Sequence, residues 1–307
     1  MQTAAPRHIE WPTLVMLGVT YAVWGIGTSV FHLSGVLAIA LTALAIAQFS
    51  SLQHEVLHGH PFASQRSNEA LVFPALTLFV PYVRFRDLHL QHHYDPNLTD
   101  PYDDPESNYM DPKVWEQTSR PMQKILRWNN TLLGRIVLGP AVSILAMCRT
   151  DLAAIRSGDA AAKRGWLLHG IGLVLVLAWL WTVGDMPVWA YGVAAYVGYG
   201  LLKIRTFLEH RAHDAFRART AIVEDRGPLA LLFLNNNFHA VHHMHPAVPW
   251  YELPALYAAR RDHYQRRNDA YVYRSYAQIF RMFFLKPKDP VPHPVWPVRK
   301  SADSDQG

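Results

Sequence analysis

Apolar and polar residues fall in long alternating blocks along the chain. Residues 12–31 carry no charge, and after the break His32-Leu33-Ser34-Gly35 a second uncharged run covers 36–53. Each run can cross a hydrocarbon core of ~30 Å, and so short a connection predicts a hairpin. Residues 166–183 and 187–202, separated by Gly184-Asp185-Met186, predict a second hairpin. Two apolar stretches between the hairpins are too short to span. The first, 71–83, is interrupted by Pro74 and Pro81 and suits a re-entrant or interfacial piece. The second, 136–147, is flanked by Arg135 and Arg149 and is expected in the interface. Residues 94–121 are polar and proline-punctuated, with Asp95, Asp100, Asp103, Asp104 and Glu106, and predict an ordered loop over a site. Residues 254–285, rich in Tyr, Arg and Phe, predict helices of a cap, and 286–307 an extended or disordered tail.

The expected fold is therefore an all-α integral membrane protein. It has about four transmembrane helices in two hairpins, interfacial helices and a helical cap, forming one domain over residues 1–285. Composition agrees: half of the residues are hydrophobic, only 17% are charged, and the tryptophans and tyrosines are numerous. The net charge of +5 is spread along the connections between apolar runs, which argues against a nucleic-acid-binding stripe. The two outer connections contain no Lys or Arg, so the positive-inside rule puts both termini and the cap in the cytoplasm. Arg7, Glu10 and the lack of a small-residue cleavage site speak against a cleavable signal peptide. A lone Cys148 excludes an intramolecular disulfide framework and cysteine-based zinc or iron–sulfur sites.

The candidate chemistry lies in the histidines. Twelve of the 17 fall in four clusters: His54, His58 and His60; His89, His92 and His93; His210 and His213; and His239, His242, His243 and His245. Residues three and four apart share a helix face, so each His-x-x-His-His run is expected to point its histidines one way. Imidazole serves zinc, copper, iron and nickel, and several such faces converging would build a site for more than one ion. His54-Glu55-x-x-His58 also matches a zinc protease motif with Glu55 as general base, but that reading leaves ten clustered histidines unexplained. A metal carrier would place its ligands near the membrane midplane, whereas these lie outside the apolar runs.

The three boxes, His54-Glu55-Val56-Leu57-His58, His89-Leu90-Gln91-His92-His93 and His239-Ala240-Val241-His242-His243, resemble those of the membrane fatty acid desaturase superfamily, the histidine-box non-haem di-iron enzymes. The likeness runs from about residue 36 to about residue 257 and covers order, spacing and membrane placement. It implies two iron ions on His54, His58, His89, His92, His93, His210, His239, His242 and His243, with O2 as co-substrate. It further implies a bacterial inner-membrane acyl-lipid desaturase with histidine boxes facing the cytoplasm. The substrate would come from the bilayer, and electrons from a separate ferredoxin- or rubredoxin-like donor, since no fused electron-transfer domain is expected. A carotenoid or lipid hydroxylase or ketolase of the same superfamily is the alternative, because the stretch His242-His243-Met244-His245-Pro246 also resembles ketolase ends. Thr206 stands where stearoyl-type members carry an asparagine, leaving Asn235, Asn236 and Asn237 as replacements. Glu55, Glu209, Asp87 and Asp214 are the acids expected to orient the imidazoles.

Overall fold

The computed structural model describes residues 9–94 and 97–296. Asp95 and residues 297–307 of the tail lie outside them. Four long helices form the frame. These are α1 (Trp11–Ser29), α2 (Gly35–Leu57), and, after six further helices, α9 (Ala160–Thr182) and α10 (Val188–Thr206). Their positions match the four apolar runs with shifted ends. α2 continues past residue 53 because no breaker precedes Gly59, so His54 sits on its last turn. α9 starts six residues before the apolar run, where Asp159 caps the amides of Ala161 and Ala162 at 2.8 and 3.0 Å. By length and composition, α2 and α9 are long and apolar enough to cross a membrane. In α1 and α10, Thr, Tyr, Trp and Gly are interspersed among the apolar residues, and α10 carries Lys203 and Arg205 in its last turn.

α2 is the hub of this frame. It presents Ala38, Thr42, Ala43, Ala45 and Ala47, all buried, so that neighbouring backbones can approach closely. On α1, a Cβ at Gly27 would come within 2.6 Å of Thr42 Oγ1; on α10, a Cβ at Gly198 would come within 2.7 Å of the Ala43 carbonyl. The two helix turns at one end are tied together: Asp185, between α9 and α10, accepts the amides of Phe31 and His32 at 2.9 Å each. Away from the hub the helices expose apolar side chains. Leu167, Ile171, Val174 and Leu175 line one face of α9, an arrangement that suits hydrocarbon rather than water.

The shorter elements are α3 (Gln65–Leu71), α4 (Tyr82–Tyr94), α5 (Pro112–Gln117), α6 (Arg120–Asn129), α7 (Leu132–Val137) and α8 (Gly139–Arg156). The segment expected to be re-entrant, between α3 and α4, is not helical. Its carbonyls are met by side chains from the frame: Tyr21 donates to Leu71, Tyr191 to Leu76 (both 2.8 Å), and His169 Nε2–H to Leu78 (3.0 Å). Irregular backbone among apolar helices requires such partners. His169 is thereby a satisfied buried histidine. The short apolar stretch at 136–147 spans the end of α7 and the first half of α8, which runs on through Arg149 to Arg156 because nothing breaks it before Gly158.

The cap follows α10 and contains α11 (Pro228–Leu232), α12 (His239–Met244), α13 (Leu253–Ala259), α14 (Arg261–Arg267) and α15 (Tyr276–Phe283). The all-α expectation needs one amendment, a small parallel sheet. Strand β1 (Ile222–Val223) pairs with β2 (Val272–Tyr273) in the register Ile222 to Val272. Two-residue strands leave no periodicity to read, and their pairing depends on buried Ile222 and Tyr271. Residues 286–296 run without helix but are fastened: the amide of His293 donates to Met110 O at 2.9 Å, and Lys288 Nζ to His210 O at 2.5 Å.

Candidate metal centre

Four elements deliver the nine histidines to one end of the frame. His54 and His58 come from the end of α2; His89, His92 and His93 from α4; His210 from just beyond α10; and His239, His242 and His243 from α12. α12 is aimed by a reversal of the chain before it, where Leu234 and Asn235 take left-handed conformations (φ 49° and 53°). Such backbone is costly for residues other than glycine, and Asn235 is held by its amide donating to Trp250 O at 3.1 Å.

The nine form two groups. His54, His58, His89, His93 and His242 can bring one nitrogen each within 4.8 Å of the others, and so can His92, His210, His239 and His243. This corrects the expectation that each His-x-x-His-His run points one way. The pairs four apart, His89 with His93 and His239 with His243, share a group, while His92 and His242 cross to the other. The groups touch through His93 and His243, whose rings stack with centroids 4.2 Å apart.

The donor chemistry fits metal ions. The Nε2 atoms of His54, His58 and His89 are buried without a partner, and unpartnered buried imidazole nitrogens are rare unless a ligand is meant for them. Other Nε2 atoms face one another: His92 and His210 at 3.0 Å, His243 and His239 at 3.1 Å, His242 and His93 at 3.2 Å. Where neither facing nitrogen carries a proton, the two lone pairs repel, and a cation between them is attractive. Burial holds His58, His93, His210, His239, His242 and His243 below the ordinary imidazole range, helped by repulsion among the rings. Neutral imidazoles are what a metal requires. Burial also works against a proton on His92, but the carboxylates of Glu106 and Asp104 outweigh it and lift this ring to about 9.

The orienting acids are not the ones expected from proximity in sequence. Asp104 Oδ1 accepts Nδ1–H of His92, and Glu106 Oε1 that of His89, both at 2.7 Å. Both lie in the acidic loop, which doubles back over α4. Asp104 also accepts the amides of Thr99 (2.7 Å) and Glu106 (2.9 Å) and so organises that loop. Of the four acids expected, only Glu209 is close, 3.7 Å from His239 Nδ1, while Asn236 Oδ1 is nearer at 3.2 Å. Asp87 pairs with Arg86 at 2.7 Å, and Asp214 acts on the charge of Arg219. Glu55 turns away from His54 and His58: it accepts the Trp250 amide at 2.8 Å and lies 3.9 Å from His60 Nε2. The arrangement of a zinc protease, with Glu55 beside two histidine ligands, is therefore not built.

His60, His213 and His245 stand outside both groups. His60 bonds Glu10 at 2.7 Å, His213 lies 3.3 Å from Asp269, and the His245 ring packs on Tyr264. Among the three asparagines proposed to replace the missing one, Asn236 reaches a site histidine. Asn235 and Asn237 bond backbone carbonyls.

Comparison with known proteins agrees with this geometry. The chain is 33% identical over 101 residues to a beta-carotene ketolase from Paracoccus sp. (strain N81106 / MBIC 01143), a stretch covering 30% of this chain and 41% of that protein. The sequence profile of the fatty acid desaturase family matches residues 28–275, from the end of α1 to the start of α15, and the chain belongs to that family of membrane-bound non-haem di-iron oxidoreductases.

Proposed function

We propose that this protein is an O2-dependent acyl-lipid desaturase of the inner membrane. The carrying observation is the division of nine histidines into two adjoining groups of five and four. In this reading His54, His58, His89, His93 and His242 hold one iron, and His92, His210, His239 and His243 the second. Iron bound there supplies the O2 chemistry needed to take hydrogen from an unactivated C–H bond.

The chain's own residues supply placement. Asp104 and Glu106 fix the tautomers of His92 and His89, so that Nε2 of each is free for metal. Asn236 does the same for His239, and Glu209 holds Asn236 by accepting its side-chain amide at 3.4 Å. The acidic loop lies against α4 through the bonds of Asp104 and Glu106, and the tail is fastened to the same end through Lys288 on His210 O. The overall reaction removes two hydrogens from adjacent carbons, and O2 with two electrons and two protons becomes two waters. The electrons come from a separate ferredoxin- or rubredoxin-like donor. Four spans, α1, α2, α9 and α10, anchor the enzyme, with the histidines on the cytoplasmic side.

The likeness to the beta-carotene ketolase favours a second reading, oxygenation of a carotenoid at the same centre. One experiment separates them. The protein, purified in detergent after growth on iron-57, is analysed for metal and by Mössbauer spectroscopy, and the lipids of an expressing host are profiled. Two coupled irons per chain with new unsaturated acyl chains are expected. Keto- or hydroxy-carotenoids without acyl changes would establish the second reading, and zinc without iron would sink both.

A further inference from the structure

Beside the metal centre lies a cleft of about 470 Å³ between the end of α2, α3, the irregular segment before α4, and the start of α9. Its walls are apolar, with Phe73, Val80, Val83 and Leu168. At its rim stand Arg66 and Arg164, both exposed. Among the described residues neither makes a hydrogen bond or an ion pair, whereas the carboxylate lining the same cleft, Glu69, is taken up by Arg86 and Gln65. Deeper in, the Tyr82 hydroxyl is buried without a partner. His169 already donates to Leu78 O. The cleft thus joins two free guanidinium groups, an unspent hydroxyl and a hydrocarbon wall.

The cleft is built from the helices that carry the metal centre. Gln53 lines it, and the next residue is His54; Val83 lines it, and six residues later comes His89, about 9 Å along the helix axis. The geometry points to this cleft as the seat of the substrate's head group: an anionic carboxylate or phosphate held by Arg66 and Arg164, with an acyl chain on Phe73, Val80 and Leu168. Guanidinium groups pair with both anions in bidentate fashion, and a hydrocarbon carotene offers them nothing. This inference rests on the acyl-lipid reading and sharpens it by naming the charge of the substrate.

The test is equilibrium binding to detergent-purified protein, with iron content checked in every sample. The probes are palmitate, phosphatidylglycerol, the uncharged palmityl alcohol and beta-carotene. Palmitate or phosphatidylglycerol is expected to bind at least about tenfold more tightly than the alcohol, and the stronger of the two identifies a carboxylate or phosphate head. The double variant Arg66→Gln, Arg164→Gln is expected to erase that preference and leave alcohol binding unchanged. Ala70→Trp, at the exposed rim of the cleft, is expected to abolish binding of the charged probe. Equal affinity for palmitate and palmityl alcohol overturns the inference. So does charge preference that survives Ala70→Trp, which would place the anion elsewhere on the protein. Selective binding without turnover of any acyl lipid would instead count against the desaturase reading and leave the cleft assignment standing.

Discussion

His92 and His93 are neighbours in sequence and face different groups of imidazoles, and their surroundings differ accordingly. Asp104 fixes the His92 tautomer and, through two further contacts, also the loop that carries it. An Asp104→Asn side chain can still accept one hydrogen bond but loses the charge. Outer-shell carboxylates of this kind typically contribute 10–100-fold to metal affinity. Asp104→Asn is therefore expected to release about one of two metals per chain under chelator competition and to keep the five-histidine group loaded. Elemental analysis after graded chelation checks this, and equal loss of both metals would count against the assignment of Asp104 to the four-histidine group.

A second residue-scale prediction concerns Glu224, which follows β1 and joins it to the cap helices. Arg261 donates to it at 2.7 Å, and Tyr257 and Gln265 donate as well, at 2.5 and 3.1 Å. The Arg261 bond first, then the tyrosine, holds the Glu224 carboxyl below its ordinary range, with burial opposing. A depressed folded value means that its contribution is present above the ordinary carboxylate range and is lost as pH falls through the folded value. Because Arg261 is largely exposed, solvent screening keeps the effect small. Glu224→Gln is expected to lower the melting temperature at neutral pH and to match the parent protein in acid. A gap that widened on acidification would contradict this.

At the scale of elements, the long helices were legible because their signal is coarse. An uncharged run of twenty residues needs no partner to be recognised, and the four long helices stand where the runs predicted. The histidine boxes were legible for a similar reason, since a spacing of four on a helix fixes a shared face. What the boxes did not reveal is which histidine goes to which group, because that depends on how α4 and α12 are rotated against α2. Asp104 and Glu106 were visible only as loop acids; their pairing with His92 and His89 is made by a chain reversal that leaves no periodic trace. The small sheet was missed because strands of two residues carry no pattern at all.

The packing of α10 on α2 belongs to this scale too. Gly198 lets the α10 backbone approach Ala43 O, and both helices continue directly into site histidines, His54 and His210. A methyl group there would meet a backbone oxygen rather than a flexible side chain. Gly198→Ala is expected to cost about 1–3 kcal/mol, the usual range for overpacking. Because the displaced helices carry donors for both groups, metal content should fall along with the melting temperature. A destabilised protein that retains both metals would show that the donor ends are held by the cap rather than by the frame.

The whole molecule has two ends of opposite character. At one end Asp185 ties the turn after α9 to the turn after α1, and neither turn contains Lys or Arg. The 23 residues of α2 carry the chain about 35 Å away from that end. There the histidines gather, and Arg149, Arg156, Lys163 and Arg164 mark the adjoining turn between α8 and α9. A bilayer set across the frame would leave the basic end on the cytoplasmic side. The lone cysteine makes this testable, since Cys148→Ala leaves a cysteine-free chain. In that background, Leu33→Cys at the turn after α1 is expected to react with an impermeant maleimide from the periplasmic side of intact inner membrane. Ser157→Cys, exposed at the basic end, is expected to react only once that membrane is opened. The reverse pattern would invert the protein, placing the histidines and the electron donor's docking face outside the cytoplasm. Labelling of both positions from one side would mean that the paired helices do not cross the bilayer, and the four-span reading would fail with them.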